Sequence, residues 1–256
     1  MHERFRGVIL SAQLWIDLET SGLGDNAAVL EIAAIAVIDG EKKHHFQSYI
    51  RPHENATLDP KAFEVNKINI NDIWSFPDAN MVINTFLDYV DSFERTFTLS
   101  GHNVAFDIKK LFKFFCRNGS YSEYLTRFRP GGIDTLTLSK KAFKNSRNKP
   151  TGFSLEKLCQ HFEINLDNAH SALPDITATI QIYNELSSKN PSVEVTKIEK
   201  MPYREKRRKY MDSKYIQLNP DGDIFITSEA TSSPQIIEFI LTELYDIYGE
   251  KHYEKN

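Results

Sequence analysis

Three strand-like segments follow one another between Gln13 and Pro52 with little room between them, and this most constrains the fold. "QLWIDLET" and "AVLEIAAIAVID" are apolar runs of strand length. Asp39-Gly40 then forms a turn, and "HHFQSYIRP" continues as a third strand ended by Pro52. Connections this short join antiparallel neighbours, because a parallel pair needs a crossover of a dozen or more residues. The expectation is an antiparallel meander of three strands.

The pattern then changes. "NATLDPKAFEVNKI" and "NINDIWSFPDANMVINTFLDYVDSF" read as helical with breaks, the second with Met81, Val82, Phe86, Leu87 and Val90 near helical spacing. "TFTLSGHN" is a short strand leading into the helix "AFDIKKLFKFFCRNG", which Gly119 closes. "GGIDTLTLSKKAF" is a strand running into a helix, and "FSLEKLCQHFEI" is a helix with Ser154 as its cap. "AHSALPDITATIQIYNELSSK" gives a loop and then a helix, with Pro174 near the start, where its missing N–H costs nothing. A meander followed by strand–helix alternation predicts an α/β fold, a mixed sheet flanked by helices.

Composition is that of an ordinary globular chain, 41% hydrophobic and 26% charged over 256 residues. No run approaches the roughly 18 apolar residues of a membrane span. The N-terminus "MHERFRGVIL" lacks the apolar core of a signal peptide, so a cytoplasmic location is expected. Cys116 and Cys159 form no C-x-x-C pair and read as buried fillers rather than zinc ligands or a disulfide. Charge is uneven. Lys197–Lys214 carries eight Lys/Arg against Glu199, Glu205 and Asp212, a net of +5; with −4 for the whole chain, the remainder is −9. Acidic clefts hold cations and basic straps meet phosphates.

The acids form a set. Asp17 and Glu19 are two residues apart on a strand and therefore share a face. Carboxylates so close repel, and one takes up a proton unless something positive lies between them. Asp107 comes early in a helix just after a strand end. His170 lies in a loop, and Asp175 starts a helix, a favourable place for a carboxylate. Four acids and one imidazole around one cleft suit two-metal phosphoryl transfer. Hard cations such as Mg²⁺ prefer oxygen ligands. Two of them, roughly 3.5–4 Å apart, can stabilise both the attacking and the leaving oxygen. A histidine can take the proton of the attacking water.

"DLETSGL", "GHNVAFD" and "HSALPD" resemble, in order, the three motifs of the DEDD superfamily of 3′–5′ exonucleases, D-x-E-T/S-G-L, N-x-x-F-D and H-x-A-x-x-D. Histidine five residues before the last acid, with Ser171 where another branch has tyrosine, resembles the His branch, which includes proofreading exonucleases. The resemblance covers roughly residues 10–188. It implies a ribonuclease-H-like fold: a five-stranded mixed sheet, three strands antiparallel, with helices on both sides.

It also implies roles. Asp17, Glu19 and Asp175 would ligate one divalent cation, Mg²⁺ or Mn²⁺. Asp17 would bridge to a second, Asp107 would bind through water, and His170 would be the general base. Thr20, Ser21, Gly22 and Leu23 would line the pocket of the terminal nucleotide, with Leu23 wedged against a base. Asn103, Phe106 and His170 would also meet substrate. The implied partner is a single-stranded nucleic-acid 3′ end, and the implied setting is DNA repair or replication. An RNA-trimming enzyme uses the same motifs.

Other residues keep two readings each. His102 either touches phosphate or is a hydrogen-bonded structural residue. Asp134 either supports the site or caps a turn or helix. His44 and His45 are expected to be exposed, and Trp15, Phe114 and Phe115 to be core.

The chain divides, on this reading, into an exonuclease domain at 10–188, a basic strap at 189–215 and a hairpin–helix appendage at 216–256. The strap is either a solvated helix face or a track for a strand, with Tyr203, Tyr210 and Tyr215 interleaved for stacking. In the appendage, "YIQLNPDGDIFIT" reads as a hairpin around Asn219-Pro220-Asp221-Gly222. The apolar-periodic "SSPQIIEFILTELYDIYGE" reads as a helix that packs on the core, on a second copy or on a partner such as a polymerase. A binding module with no catalysis is the competing function.

Overall fold

The computed structural model describes residues 12–166, 171–189, 216–218 and 224–226. His170, the strap Lys197–Lys214 and the C-terminal helix expected within 232–250 lie outside the described residues. The meander is present: β1 (Ala12–Thr20), β2 (Val29–Ile38) and β3 (Glu41–Tyr49) pair antiparallel in sequence. β4 (Phe97–Gly101) runs parallel to β1 on its other edge, and β5 (Phe128–Asp134) runs parallel to β4. The sheet order is β3-β2-β1-β4-β5, the five-stranded mixed sheet expected.

The period-2 pattern of β1 and β2 assigns a helix layer to each face. Leu14, Ile16 and Leu18 with Ile32, Ala34 and Ala36 face one side. There they meet α2 (Ala79–Asp91), α3 (Ala105–Arg117) and α4 (Tyr121–Arg127) in a core rich in phenylalanine. Trp15, Ala33 and Ile35 face the other side and pack on Ala172, Ile176 and Ile180 of α7 (Ala172–Lys189). α6 (Leu155–Phe162) closes on α7 through Leu158, Cys159, Ala178 and Ile182. α1 (Pro60–Asn66) and α5 (Thr135–Ala142) complete the α-helices among the described residues. Both cysteines are free and buried, as fillers should be. No helix among the described residues is long and apolar enough to cross a membrane.

Caps explain several boundaries. Asp78 starts α2 by accepting from Asn80 N, Asp59 precedes Pro60 at the start of α1, and Ser154 Oγ accepts from Lys157 N at α6.

Two local readings change. Met81 is 61% exposed, and the buried face of α2 is Val82, Ile83, Phe86, Leu87, Tyr89 and Val90. The apolar run is wider than one stripe because α2 is covered by the sheet on one side and α4 on the other. The segment Tyr121–Arg127, unassigned from sequence, is α4. It is too short for a periodic signal, and the tertiary ion pair of Arg127 with Asp91 of α2 holds it in place, Nε to Oδ1 at 2.9 Å and Nη2 to Oδ2 at 2.5 Å.

Of the appendage, β6 (Ile216–Leu218) and β7 (Ile224–Ile226) pair antiparallel, as the hairpin reading requires.

Candidate active site

Sheet parity places the first two acids. Asp17 and Glu19 continue the Trp15 face of β1 and therefore look toward α7, whose first turn carries Asp175. β4 runs parallel to β1 and so delivers α3 at the same sheet edge. Asp107 sits in the first turn of α3, buried, with Oδ1 accepting from Leu18 N at 3.2 Å. That bond ties the helix acid to the β1 backbone between Asp17 and Glu19.

The turn that makes this delivery needs unusual backbone. Gly101 ends β4 where an added Cβ would lie 3.0 Å from Ile16 O, so only glycine lets the two strand ends approach. Asn103 then adopts φ 59°, a left-handed conformation that asparagine tolerates. Its N–H donates to Asp134 Oδ1 at 2.7 Å. Asp134 also caps α5, accepting from Leu136 N and Thr137 Oγ1. His102 Nδ1 lies 2.9 Å from Thr135 Oγ1, and burial holds its ring below the usual imidazole range. Asp134 and His102 therefore brace the turn before α3, the structural alternative for each.

The acids act on one another. Burial pushes the Asp17 carboxyl well above its ordinary range, and the charges of Asp107, Glu19, Asp175 and Glu31 push it further. Glu19 is pushed up to about 7, by burial first and then by Glu31 and Asp175. Burial likewise pushes Asp107 up to about 8, against the opposing pull of the Leu18 N–H. The charges that shift Asp17 are, among the described residues, all acids. Among the described residues no three His, Cys, Asp or Glu form a group that could hold a metal ion as they stand. Asp17 is within electrostatic reach of Asp107, Glu19 and Asp175, and Glu19 is within reach of Asp175 and Asp107.

Sequence reasoning missed a fifth acid, Glu31. It is 2% exposed in β2, directly across from Glu19, and its Oε1 accepts from Gln47 Nε2 at 2.6 Å. The available signal was a lone carboxylate inside the apolar run "AVLEIAAIAV".

The residues after the acid pair make a rigid loop with one exposed tip. Thr20 Oγ1 donates to Gly22 O, and Ser21 Oγ donates to Thr57 O and accepts from Ala28 N. Both hydroxyls are engaged inside the loop. An added Cβ on Gly22 would approach Asp59 Cβ to 3.2 Å, so the close approach seen here is to Asp59. Leu23 is left 83% exposed.

The next three residues, Gly24 to Asn26, are gripped one by one from α3. Lys110 Nζ donates to Gly24 O at 2.5 Å, Lys109 and Lys113 meet Asp25 Oδ1 at 2.9 and 3.5 Å, and Arg117 Nη2 donates to Asn26 Oδ1 at 3.4 Å. Phe106, partly buried, lies under the Lys110 ammonium at 5.4 Å. Lys110 was also missed, because a lysine on a helix ordinarily reads as solvated.

Known proteins share this framework. A family model of RNase T type, described as Exonuclease, matches residues 14–183. The DNA polymerase III subunit epsilon of Salmonella typhimurium is 30% identical over 186 residues, 68% of this chain and 70% of that protein. The PolC-type DNA polymerase III of Bacillus subtilis is 30% identical over 169 residues, 64% of this chain and 10% of that much longer protein. Among solved structures, E. coli exonuclease I in complex with a dT13 oligonucleotide superposes with TM-score 0.59 at 20% identity, over 71% of this chain and 42% of that one. The chain thus spans less than half of that solved relative.

Proposed function

The chain belongs to the exonuclease family, and on that premise we propose that it is a divalent-metal-dependent 3′–5′ exonuclease. It removes nucleoside 5′-monophosphates from single-stranded DNA 3′ ends. The observation that carries the reading is the gathering of Asp17, Glu19, Asp107 and Asp175 at one sheet edge, with the Asp17 carboxyl destabilised by burial first and by the neighbouring acids next.

That donor set fits a hard cation. It is all carboxylate oxygen, the donor type hard cations prefer. Mg²⁺ or Mn²⁺ would be held by Asp17, Glu19 and Asp175, with Asp17 also reaching a second ion and Asp107 acting through water. Bound divalent cations supply stabilisation of the attacking and leaving oxygens of an in-line displacement. The protein residues do the rest. His170 accepts the proton of the attacking water. Leu23, held out on its gripped loop, wedges against the terminal base. Asn103 and Phe106 lie at the strand's approach, and the loop Thr20–Leu23 fixes where the terminal nucleotide stops. The DNA preference is supported by the relatives, which are DNA polymerase III proteins. A role in replication or repair follows, in the cytoplasm. A polymerase or a second copy would dock on the C-terminal segment 216–256, and the strap would contact phosphates.

The test is digestion of matched 3′-labelled DNA and RNA strands with Mg²⁺ or Mn²⁺. Release of 5′-monophosphates from DNA is expected, with silence in EDTA and a loss of at least about 10³-fold in Asp17→Ala. Protein that shortens neither strand refutes the reading, and preference for RNA refutes the substrate.

A further inference from the structure

A second cleft opens beside the gripped loop, at the same sheet edge as the acids. Its floor is the entry to β2, Ala27 and Ala28 with Val29, and its walls are the residues after β3 and the outer face of α3. The strand register puts both at the end where β1 finishes, since Thr20 pairs Val29 and Glu31 pairs Tyr49. The cleft holds about 630 Å³, within the roughly 300–1,000 Å³ of small-molecule sites.

Its chemistry is cationic and aromatic. Lys110, Lys113 and Arg117 come from α3, and Arg51 comes from the opposite wall. Lys110 and Arg117 are seven residues apart, about 10 Å along the helix. Arg117 Nη1 donates to His53 Nε2 at 2.6 Å, so the imidazole accepts and the pair carries its charge on the guanidinium. Burial and Arg117 together hold His53 down at about 4. Three acids also line it, Asp25 beside Lys113, Asp78 beside Arg51, and Glu54, all exposed and screened by water, so the four cations outnumber them by one.

Trp74 supplies the flat surface. In the short turn Ile73–Ser75, Ile73 takes the core position at 0% exposure and leaves the Trp74 indole 49% exposed on the cleft wall. A large aromatic at the mouth of a cationic groove is the combination that binds single strands, stacking a base while phosphates meet the cations.

We propose that this groove is a second nucleic-acid subsite, holding nucleotides on the 5′ side of the linkage being cut. The proposal rests on the exonuclease reading for its polarity. Leu23 and Gly24 form the partition between the two sites, and Lys110 belongs to both, gripping the partition from the groove side. A strand whose 3′ end is stopped by Leu23 passes over the partition and lays its upstream base on Trp74. Arg117 and Lys113 take the phosphates.

The experiment compares a dinucleotide, too short to cross the partition, with a hexanucleotide of the same sequence. For the native protein, KM is expected to be about tenfold lower for the hexanucleotide, the effect of one stacked base. In Trp74→Ala that ratio collapses toward one, and Trp74→Phe retains part of it. Arg117→Gln lowers the salt slope of hexanucleotide binding by about 0.7. A ratio unmoved by Trp74→Ala overturns the proposal.

Binding in EDTA separates this from the exonuclease reading. Of the two tryptophans, Trp15 is fully buried, so ligand quenching reports Trp74 and vanishes in Trp74→Phe. If neither oligonucleotide is cleaved, the exonuclease reading fails, and quenching alone judges the groove. Quenching by the hexanucleotide but not by thymidine monophosphate supports the subsite. No quenching, or equal quenching by the monophosphate, overturns the assignment to a strand.

Discussion

Replacing Glu19 by Gln is expected to stabilise the protein at pH 8 in EDTA and to leave it unchanged near pH 4.5. Glu19 is mostly buried, across from Glu31 and near Asp175, and burial first, then those two charges, push its carboxyl from 4.5 up to about 7. A carboxyl raised on folding favours the protonated native state. Its contribution is fully present below pH 4.5 and is lost as pH rises through about 7. At pH 8 the ionised side chain costs roughly 3 kcal/mol, at about 1.4 kcal/mol per pH unit. Because Glu19 is partly open to solvent, screening trims this to about 2–3 kcal/mol. Glutamine has the same shape and cannot ionise, so it escapes the cost. For a chain of this size that corresponds to a rise in Tm of about 5–10 °C.

Added Mg²⁺ or Mn²⁺ should reverse the order. A cation at a hundred times its Kd stabilises the native protein by about 2.7 kcal/mol, and the variant, short of one charged ligand, gains less. The assay is thermal unfolding at pH 4.5, 6, 7 and 8, in EDTA and with metal. A variant no more stable at pH 8 in EDTA, or one with the same gain at pH 4.5, refutes the claim that burial and the neighbouring acids make the ionised Glu19 costly. A metal response equal to the native one removes Glu19 from the ligand set.

Three further outcomes are expected from the geometry. Lys110→Met keeps the length of a 4% exposed side chain but releases Gly24 O, so KM for an oligonucleotide should rise about fivefold with kcat little changed; an equal fall in kcat would mean that Lys110 serves the chemistry instead. Tyr89→Phe removes the hydroxyl that accepts from Ala36 N and donates to His44 O at the irregularity between β2 and β3, and denaturant titration should show a loss of about 1–3 kcal/mol. Gly132→Ala would put a methyl 2.9 Å from Ile108 Cδ1 and 3.1 Å from Leu99 O, with an expected cost of about 1–3 kcal/mol in the same titration.

The sequence alone determined what is local or periodic. Strand alternation and the Asp39-Gly40 turn specified the meander, and the same alternation put Asp17 and Glu19 on one face. Helix starts placed Asp107 and Asp175, and motif order tied them to that pair. What the sequence left open depends on contacts between distant segments. α4 is fixed by Tyr124 and Leu125 in the core and by Arg127 reaching Asp91, 36 residues away. Glu31 joins the acids only through the antiparallel register that sets it opposite Glu19. Lys110 is a buried loop anchor because Gly24 folds back onto α3, 86 residues from it, which no pattern along one helix records. His102 and Asp134 were left between two roles, and the joining of β4 to β5 engages both in hydrogen bonds at the turn before α3. Periodicity reports which face of an element is apolar, and tertiary packing decides which polar groups that face brings together.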